Sequence, residues 1–394
     1  MYVKSINIEN IAGITKLDLN FNTRMNIVSG ENGIGKTTIL ECIGHHFYSG
    51  NTTTLKRNAL SDNGKVKTIV DINNTQNEKI ISTNDFIPLS KNSRISGDYQ
   101  NSKYLISLKV NRTFNYQDLQ SVSKDINKPI HIVYSEAISG INIHEIKNWF
   151  VNRYLYSVHT GSLTTEQLEN LDFAKSCFSI IDENFSFNRV MASDNEIMIN
   201  TPNGEIYYEY LSSGFKSIIS ILFGIIKDIE FRFKDPTIKA KDFDGIILID
   251  ELELHLHPIW QAKISNILKE VFPNVQFIVT THSPHIIQNA NPDEIIALKR
   301  DANGVVIKKE IPNNEFGFQG WTVEEVLVDI MGMEDTRTEI YKKSVIDFQK
   351  AIADENYTLA KKEFDKLDKL LHPDNYLRKL LSFDLASVKG SEVD

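Results

Sequence analysis

The stretch Ser29-Gly-Glu-Asn-Gly-Ile-Gly-Lys-Thr-Thr38 sits between two apolar segments, Met25–Val28 before it and Ile39–Cys42 after it. Its three glycines and lysine match the pattern GxxxxGK[ST], running through Gly30, Glu31, Asn32, Gly33, Ile34, Gly35, Lys36, Thr37 and Thr38. Glycine lets the backbone wrap closely round phosphates so that successive N–H groups converge on them, and a following helix adds its positive N-terminal end. In such a loop the lysine reaches the β- and γ-phosphates, and the hydroxyl of Thr37 ligates Mg2+. The stretch therefore predicts strand, phosphate loop and helix in succession, the start of an α/β nucleotide-binding fold.

Working outward, period-two patterning at Val3, Ile6 and Ile8, then Leu17, Leu19 and Phe21, predicts short strands ahead of the loop. From Gly50 to about Asn101 the chain is rich in Asn, Ser, Thr and Lys. This predicts strands with long polar loops, and Asn63-Gly64 reads as a hairpin turn before Val66, Thr68, Val70 and Ile72. Ile106, Leu108 and Val110 alternate again, and Pro129–Tyr134 reads as a buried strand. Between Ile141 and Phe185 the period becomes helical, with Ile146, Phe150 and Tyr154 at spacing four and a capping box at Thr164 and Gln167. A hairpin follows, with Asn203-Gly204 between Ile197, Ile199 and Ile206, Tyr208. Two helices are expected beyond residue 301, over Val323–Met331 and Ile340–Leu371.

Three more segments carry chemistry. Gly245-Ile-Ile-Leu-Ile-Asp-Glu251 is apolar on both faces and ends in two carboxylates, as a central parallel strand does when it delivers acids to the ligand-binding edge. There Asp250 would hold Mg2+ and Glu251 would orient or deprotonate an attacking water. Val275-Gln-Phe-Ile-Val-Thr-Thr-His282 is a second buried strand with a polar tip, and His282 is placed to contact the γ-phosphate. Leu211-Ser-Ser-Gly-Phe-Lys-Ser217 precedes a helix with Ile218, Leu222, Ile225 and Ile229 on one face. Ser212, Ser213 and Gly214 could form a second anion site there, and a plain helix cap explains them as well. Asp242-Phe-Asp244 reads as a solvated loop.

Phosphate loop, Leu-Ser-Ser-Gly, Asp-Glu strand and histidine strand, in that order over residues 1–300, resemble the ATP-binding-cassette ATPases. The likeness is to the non-transporter branch that includes RecF, the chromosome-maintenance proteins and bacterial antiphage ATPases. The resemblance implies an ABC-type P-loop ATPase head: α/β, with a mixed β-sheet, a helical lobe and a helical C-terminal extension. Residues 1–300 would form the head, residues 49–196 its β and helical insertions, and residues 301–394 the extension. It implies ATP and Mg2+ as ligands, Glu251 and His282 as catalytic residues, and Ser212, Ser213 and Gly214 as a signature capping the γ-phosphate on a second subunit. Asp250-Glu-Leu-Glu-Leu-His-Leu-His-Pro258 is similar to that branch's Asp-Glu followed by its D-loop. Phe215 departs from the family's frequent Gln, and Ser135-Glu136 is the candidate for its Q-loop.

What is missing narrows the branch. No arm long enough for a coiled coil lies between Thr38 and Leu211, and no run of about 18 apolar residues could span a membrane. No signal peptide is evident, and two cysteines, Cys42 and Cys177, suit a reducing compartment, so a cytoplasmic location is expected. With a net charge of -9, any contact with nucleic acid has to come from a local patch or from a partner. Armless chains of this kind resemble the ATPase subunits of two-gene antiphage systems such as Septu, which work with a separate HNH nuclease. Gly317–Leu327 looks like that group too. The implied partners are a homodimer or higher oligomer and a nuclease or other effector subunit. The alternatives are a RecF-like DNA-repair ATPase and an ATP-dependent scaffold that sequesters a toxic effector.

Overall fold

Each apolar strand alternates its side chains between two cores. Ile246 and Leu248 pack into one and Ile247 and Ile249 into the other; Val28 and Ile278 share the first, Ile27, Phe277 and Val279 the second. A computed structural model of the chain describes residues 1–112, 118–125, 128–311 and 315–389. The central sheet runs, in spatial order, Val306–Lys308, Ile295–Arg300, Met25–Gly30, Gln276–Thr280, Ile246–Ile249, Leu105–Leu108. Five strands are parallel and the edge strand Val306–Lys308 is antiparallel, so the sheet is mixed.

Over one face lies the antiparallel sheet of Ile14–Asn20, Tyr2–Ile11, Gly64–Ile72 and Thr75–Thr83, and the helix Lys36–His46 shares its core through Ile39, Leu40 and Ile43. The other face is covered by the helical lobe, with Ile146–Tyr156, Thr165–Ile181, Ser213–Arg232 and Pro258–Val271. Thr164 and Gln167 make the expected capping box, and Thr201 pairs with Gly204 across the expected hairpin. The architecture is α/β, with the mixed central sheet between an antiparallel sheet and a helical lobe. Cys42 and Cys177 are buried free thiols serving as apolar filling.

The chain separates into two compact units, Met1–Gly332 and Met333–Asp394. The first thus extends beyond residue 300, because Ile295–Arg300 and Val306–Lys308 belong to the central sheet. The second holds Glu339–Ala353, Tyr357–Leu370 and Leu377–Lys389 round a small core of Phe348, Ala360, Leu367 and Leu381. Positions 312–314 and 390–394 of the expected extension lie outside the described residues.

Five expectations are corrected. Pro129–Tyr134 is not a strand: Ile130–Ser139 is a helix, burying Val133 and Ala137 at spacing four while Ile130 and Ile132 stay exposed. Leu105–Leu108 supplies the sheet edge instead. Ser135-Glu136 is therefore no strand end, and Glu136 is ion-paired to Lys128 at 2.6 Å and Arg232 at 2.8 Å under the lobe. The first hairpin turns at Asn73 and Asn74, both at positive φ, while Gly64 begins a strand opposite Thr83. The expected helix Ile340–Leu371 breaks at Glu355 (φ 51°), after which Asn356 caps the next helix by accepting from the Leu359 N–H. Val323–Met331 begins as an α-turn at Val323–Glu325 and continues as a π-helix, Val326–Ile330.

Candidate functional site

The strands Met25–Gly30, Gln276–Thr280 and Ile246–Ile249 lie side by side and point the same way, so their carboxyl ends deliver three polar segments to one edge. From the first, the chain passes through Gly30, Gly33 and Gly35, all at positive φ, into the helix beginning at Lys36. At Gly33 (φ 73°) a side chain would meet no neighbour, so backbone torsion alone explains the glycine. Asn32 and Gly33 are exposed at the loop tip, Glu31 and Thr38 are half-buried, and Ile34 packs into the core.

Lys36 is buried, and its ammonium donates to the carbonyls of Gly30 and Glu31, both at 2.8 Å. Burial pulls its pKa down to about 8, against the opposing pull of Glu253, Asp250, Glu251 and Glu31. The hydroxyl of Thr37 donates to Asp250 Oδ1 at 3.1 Å, and Thr280 Oγ1 donates to the same oxygen at 2.6 Å. A hydroxyl and a carboxylate oxygen side by side are hard donors that suit Mg2+. Among the described residues no group of three or more His, Cys, Asp or Glu side chains could hold a metal.

Glu251 takes φ 51°, a left-handed turn that breaks the strand. Its N–H donates to Thr280 Oγ1 at 2.7 Å, and its carbonyl accepts from Arg112 Nη2 at 2.7 Å. Arg112 also donates from Nη1 to the carbonyls of Asp250 at 2.7 Å and Lys109 at 3.1 Å. Burial lowers its pKa to about 10. His282 is exposed, and burial of part of its ring, followed by the charge of Lys36, lowers its pKa. Its N–H donates to Glu253 Oε1 at 2.6 Å.

The structure thus brings together Gly30–Thr38, Asp250, Glu251 and the segment carrying His282. Ser212, Ser213 and Gly214 stand apart: among the described residues no hydrogen bond or ion pair joins them to that group. Ser212 caps Ser213–Arg232 by accepting from the Phe215 N–H at 3.3 Å, and Ser212 and Ser213 are exposed. A Cβ at Gly214 would lie 2.6 Å from Trp260 Cδ1, so close packing explains this glycine. Phe215, in place of the family's Gln, is buried among Phe185, Phe178 and Trp260. Trp260 is half-buried, and Ile264, Ile267 and Val271 form the buried face of their helix.

Comparison with known proteins completes the picture. Residues 25–288 match the family model "AAA domain, putative AbiEii toxin, Type IV TA system". The Septu protein PtuA of Bacillus thuringiensis is 43% identical over 391 residues, 98% of each chain. The chain belongs to the Septu PtuA family. The Septu protein PtuA of Bacillus mycoides (strain KBAB4) is 25% identical over 357 residues, 86% of this chain and 46% of that one. A solved SMC head bound to the C-terminal winged-helix domain of ScpA aligns with a TM-score of 0.47 at 16% identity, covering 79% of this chain and 98% of that one.

For this PtuA family member, sequence reasoning missed Arg112, Glu253 and Thr280. The only local signals were a lone arginine after an apolar run and a third carboxylate after Asp-Glu. Replacing Arg112 by Met would take this donor from the carbonyls of Lys109, Asp250 and Glu251, of which Glu251 keeps the Leu254 N–H at 3.0 Å. Stability should fall by about 2–4 kcal/mol, read as a lower urea midpoint at unchanged slope. An unchanged midpoint would remove Arg112 from any part in holding the Asp250–Glu251 corner.

Proposed function

We propose that the chain binds and hydrolyses Mg·ATP, joins a second copy head to tail around the nucleotide, and thereby controls a separate nuclease in antiphage defence. The observation that carries the hydrolytic part is the hydrogen-bonded set Thr37, Asp250, Thr280 and Glu251 at the shared carboxyl edge of three parallel strands. The biological part is supported by 43% identity, end to end, to a protein of the Septu system.

In this reading Lys36 exchanges its two loop carbonyls for phosphate oxygens, a charge-assisted contact stronger than the neutral ones it leaves. Thr37 and Asp250 would hold Mg2+, which when bound neutralises charge on the β- and γ-phosphates. Glu251 accepts a proton from the attacking water, and its backbone is fixed for that task from both sides by Thr280 and Arg112. His282 contacts the γ-phosphate from the neighbouring strand end. Ser212, Ser213 and Gly214 offer an exposed helix start with no partner in their own subunit's nucleotide loop, which suits the γ-phosphate on a second copy.

Gly214 is a poor place to test the composite site, because any side chain there strikes Trp260 within the same subunit. Ser213 is exposed, and Ser213→Arg leaves that packing alone. In a Glu251→Gln background, sedimentation velocity with Mg·ATP should show a dimer for the parent and monomer for Ser213→Arg. An undiminished ATP-dependent dimer in the arginine variant would sink the head-to-tail arrangement.

A further inference from the structure

We infer that Glu253 is a positioning residue that ties the backbone of His282 to the segment carrying Glu251, so that the γ-phosphate sensor and the water-activating carboxylate move together. The inference rests on reading this site as one that hydrolyses ATP.

Three links cross from residues 250–253 to residues 280–282. Thr280 Oγ1 donates to Asp250 and accepts from the Glu251 N–H, and the Leu252 N–H donates to the Thr280 carbonyl at 2.9 Å. Both of these end on Thr280, inside the strand. The third is Glu253: Oε1 accepts from the His282 N–H at 2.6 Å and Oε2 from Thr281 Oγ1 at 2.7 Å. Among the described residues it alone grips the residue that bears the imidazole. Beyond His282 the chain is anchored again, since Ser283 Oγ donates to Gln261 Oε1 at 2.6 Å and Ser283 caps the following helix by accepting from the Ile286 N–H.

The His282 ring has no hydrogen-bond partner among the described residues, so its place is set by its backbone. A carboxylate accepting an N–H is a charge-assisted bond, roughly twice as strong as a neutral one. Glu253 is also the carboxylate that acts most strongly on Lys36. Its hydrogen bonds place it between the catalytic corner and the sensor. The bland alternative is an acid that merely satisfies a strand-end N–H. That alternative predicts lost stability with no specific effect through His282.

Glu253→Ala removes both bonds, whereas Glu253→Gln keeps an oxygen for His282 N–H and turns an amide donor toward the Thr281 hydroxyl. Combined with His282→Ala, these variants form a cycle of single-turnover hydrolysis rates. Glu253→Ala and His282→Ala should each slow hydrolysis about ten- to a hundredfold, the scale on which small misplacements act. The double variant should be barely slower than the slower single one, because the two act as a unit. Glu253→Gln should recover most of the rate that alanine loses. Multiplying effects in the double variant, or a wild-type rate for Glu253→Ala, would overturn the proposal.

A second readout needs no turnover. In the Glu251→Gln protein, Mg·ATP should displace the NMR resonances of the His282 ring, and Glu253→Ala should abolish that displacement. An undiminished displacement, or none in the parent, overturns the coupling. A wild type that turns over no ATP would instead defeat the hydrolytic reading, and the ring spectrum still decides the role of Glu253.

Discussion

Glu251→Gln is expected to slow hydrolysis of bound ATP by about two to four orders of magnitude while leaving ATP affinity within about threefold of wild type. The amide preserves the shape of the side chain. Both backbone anchors of residue 251, to Thr280 and Arg112, are untouched by the exchange. What is lost is basicity: a carboxylate accepts the proton of the attacking water, and an amide does not. Single-turnover quench-flow with saturating protein measures the chemical step directly, and equilibrium titration measures affinity. A wild-type chemical step in the variant would remove Glu251 from proton transfer, and a collapse of affinity would make it a binding residue instead.

Lys36→Ala should weaken ATP binding by roughly ten- to a hundredfold, the loss of a charge-assisted contact worth about 1.5–3 kcal/mol. The same lysine predicts a pH dependence. Its pKa in the free protein is lowered to about 8, so it is charged below that pH and sheds its proton above it. The phosphates bind the charged form. Affinity should therefore be flat below pH 8 and fall about tenfold per unit above it, with proton uptake on binding in that upper range. Titrations across pH 7 to 9 check this, and Lys36→Ala should lose the slope along with the affinity. A slope that persists in Lys36→Ala would assign the titration to another group.

How much of this was legible in the sequence follows from how far apart the interacting groups lie. The phosphate loop, the capping box at Thr164 and the turn before Gly204 are written within a few residues, and all appear where their local chemistry puts them. The apolar strand ending in Asp250-Glu251 was equally readable, because both of its faces are buried. Pro129–Tyr134 misled because an apolar run of that length looks alike in helix and strand. Only the burial of Val133 and Ala137 under the lobe separates the two. Arg112 and Glu253 were invisible for another reason: their partners lie 138 and 29 residues away along the chain. The packing of Trp260 on Gly214, 46 residues away along the chain, is likewise a contact that only folding reveals.

The left-handed backbone at Glu251 sets the proposed chemistry of that position against the preference of the fold. For a side-chain-bearing residue this conformation costs about 1 kcal/mol that glycine would not incur. A lineage under pressure only to stay folded would drift toward glycine or asparagine at this corner, and would lose the carboxylate as it did so. On the proposed role, Glu251 stands where the chemistry asks for a side chain that the backbone conformation disfavours. If Glu251 has the proposed role, relatives that hydrolyse ATP are expected to keep a carboxylate at that turn and glycine or asparagine there should accompany loss of hydrolysis.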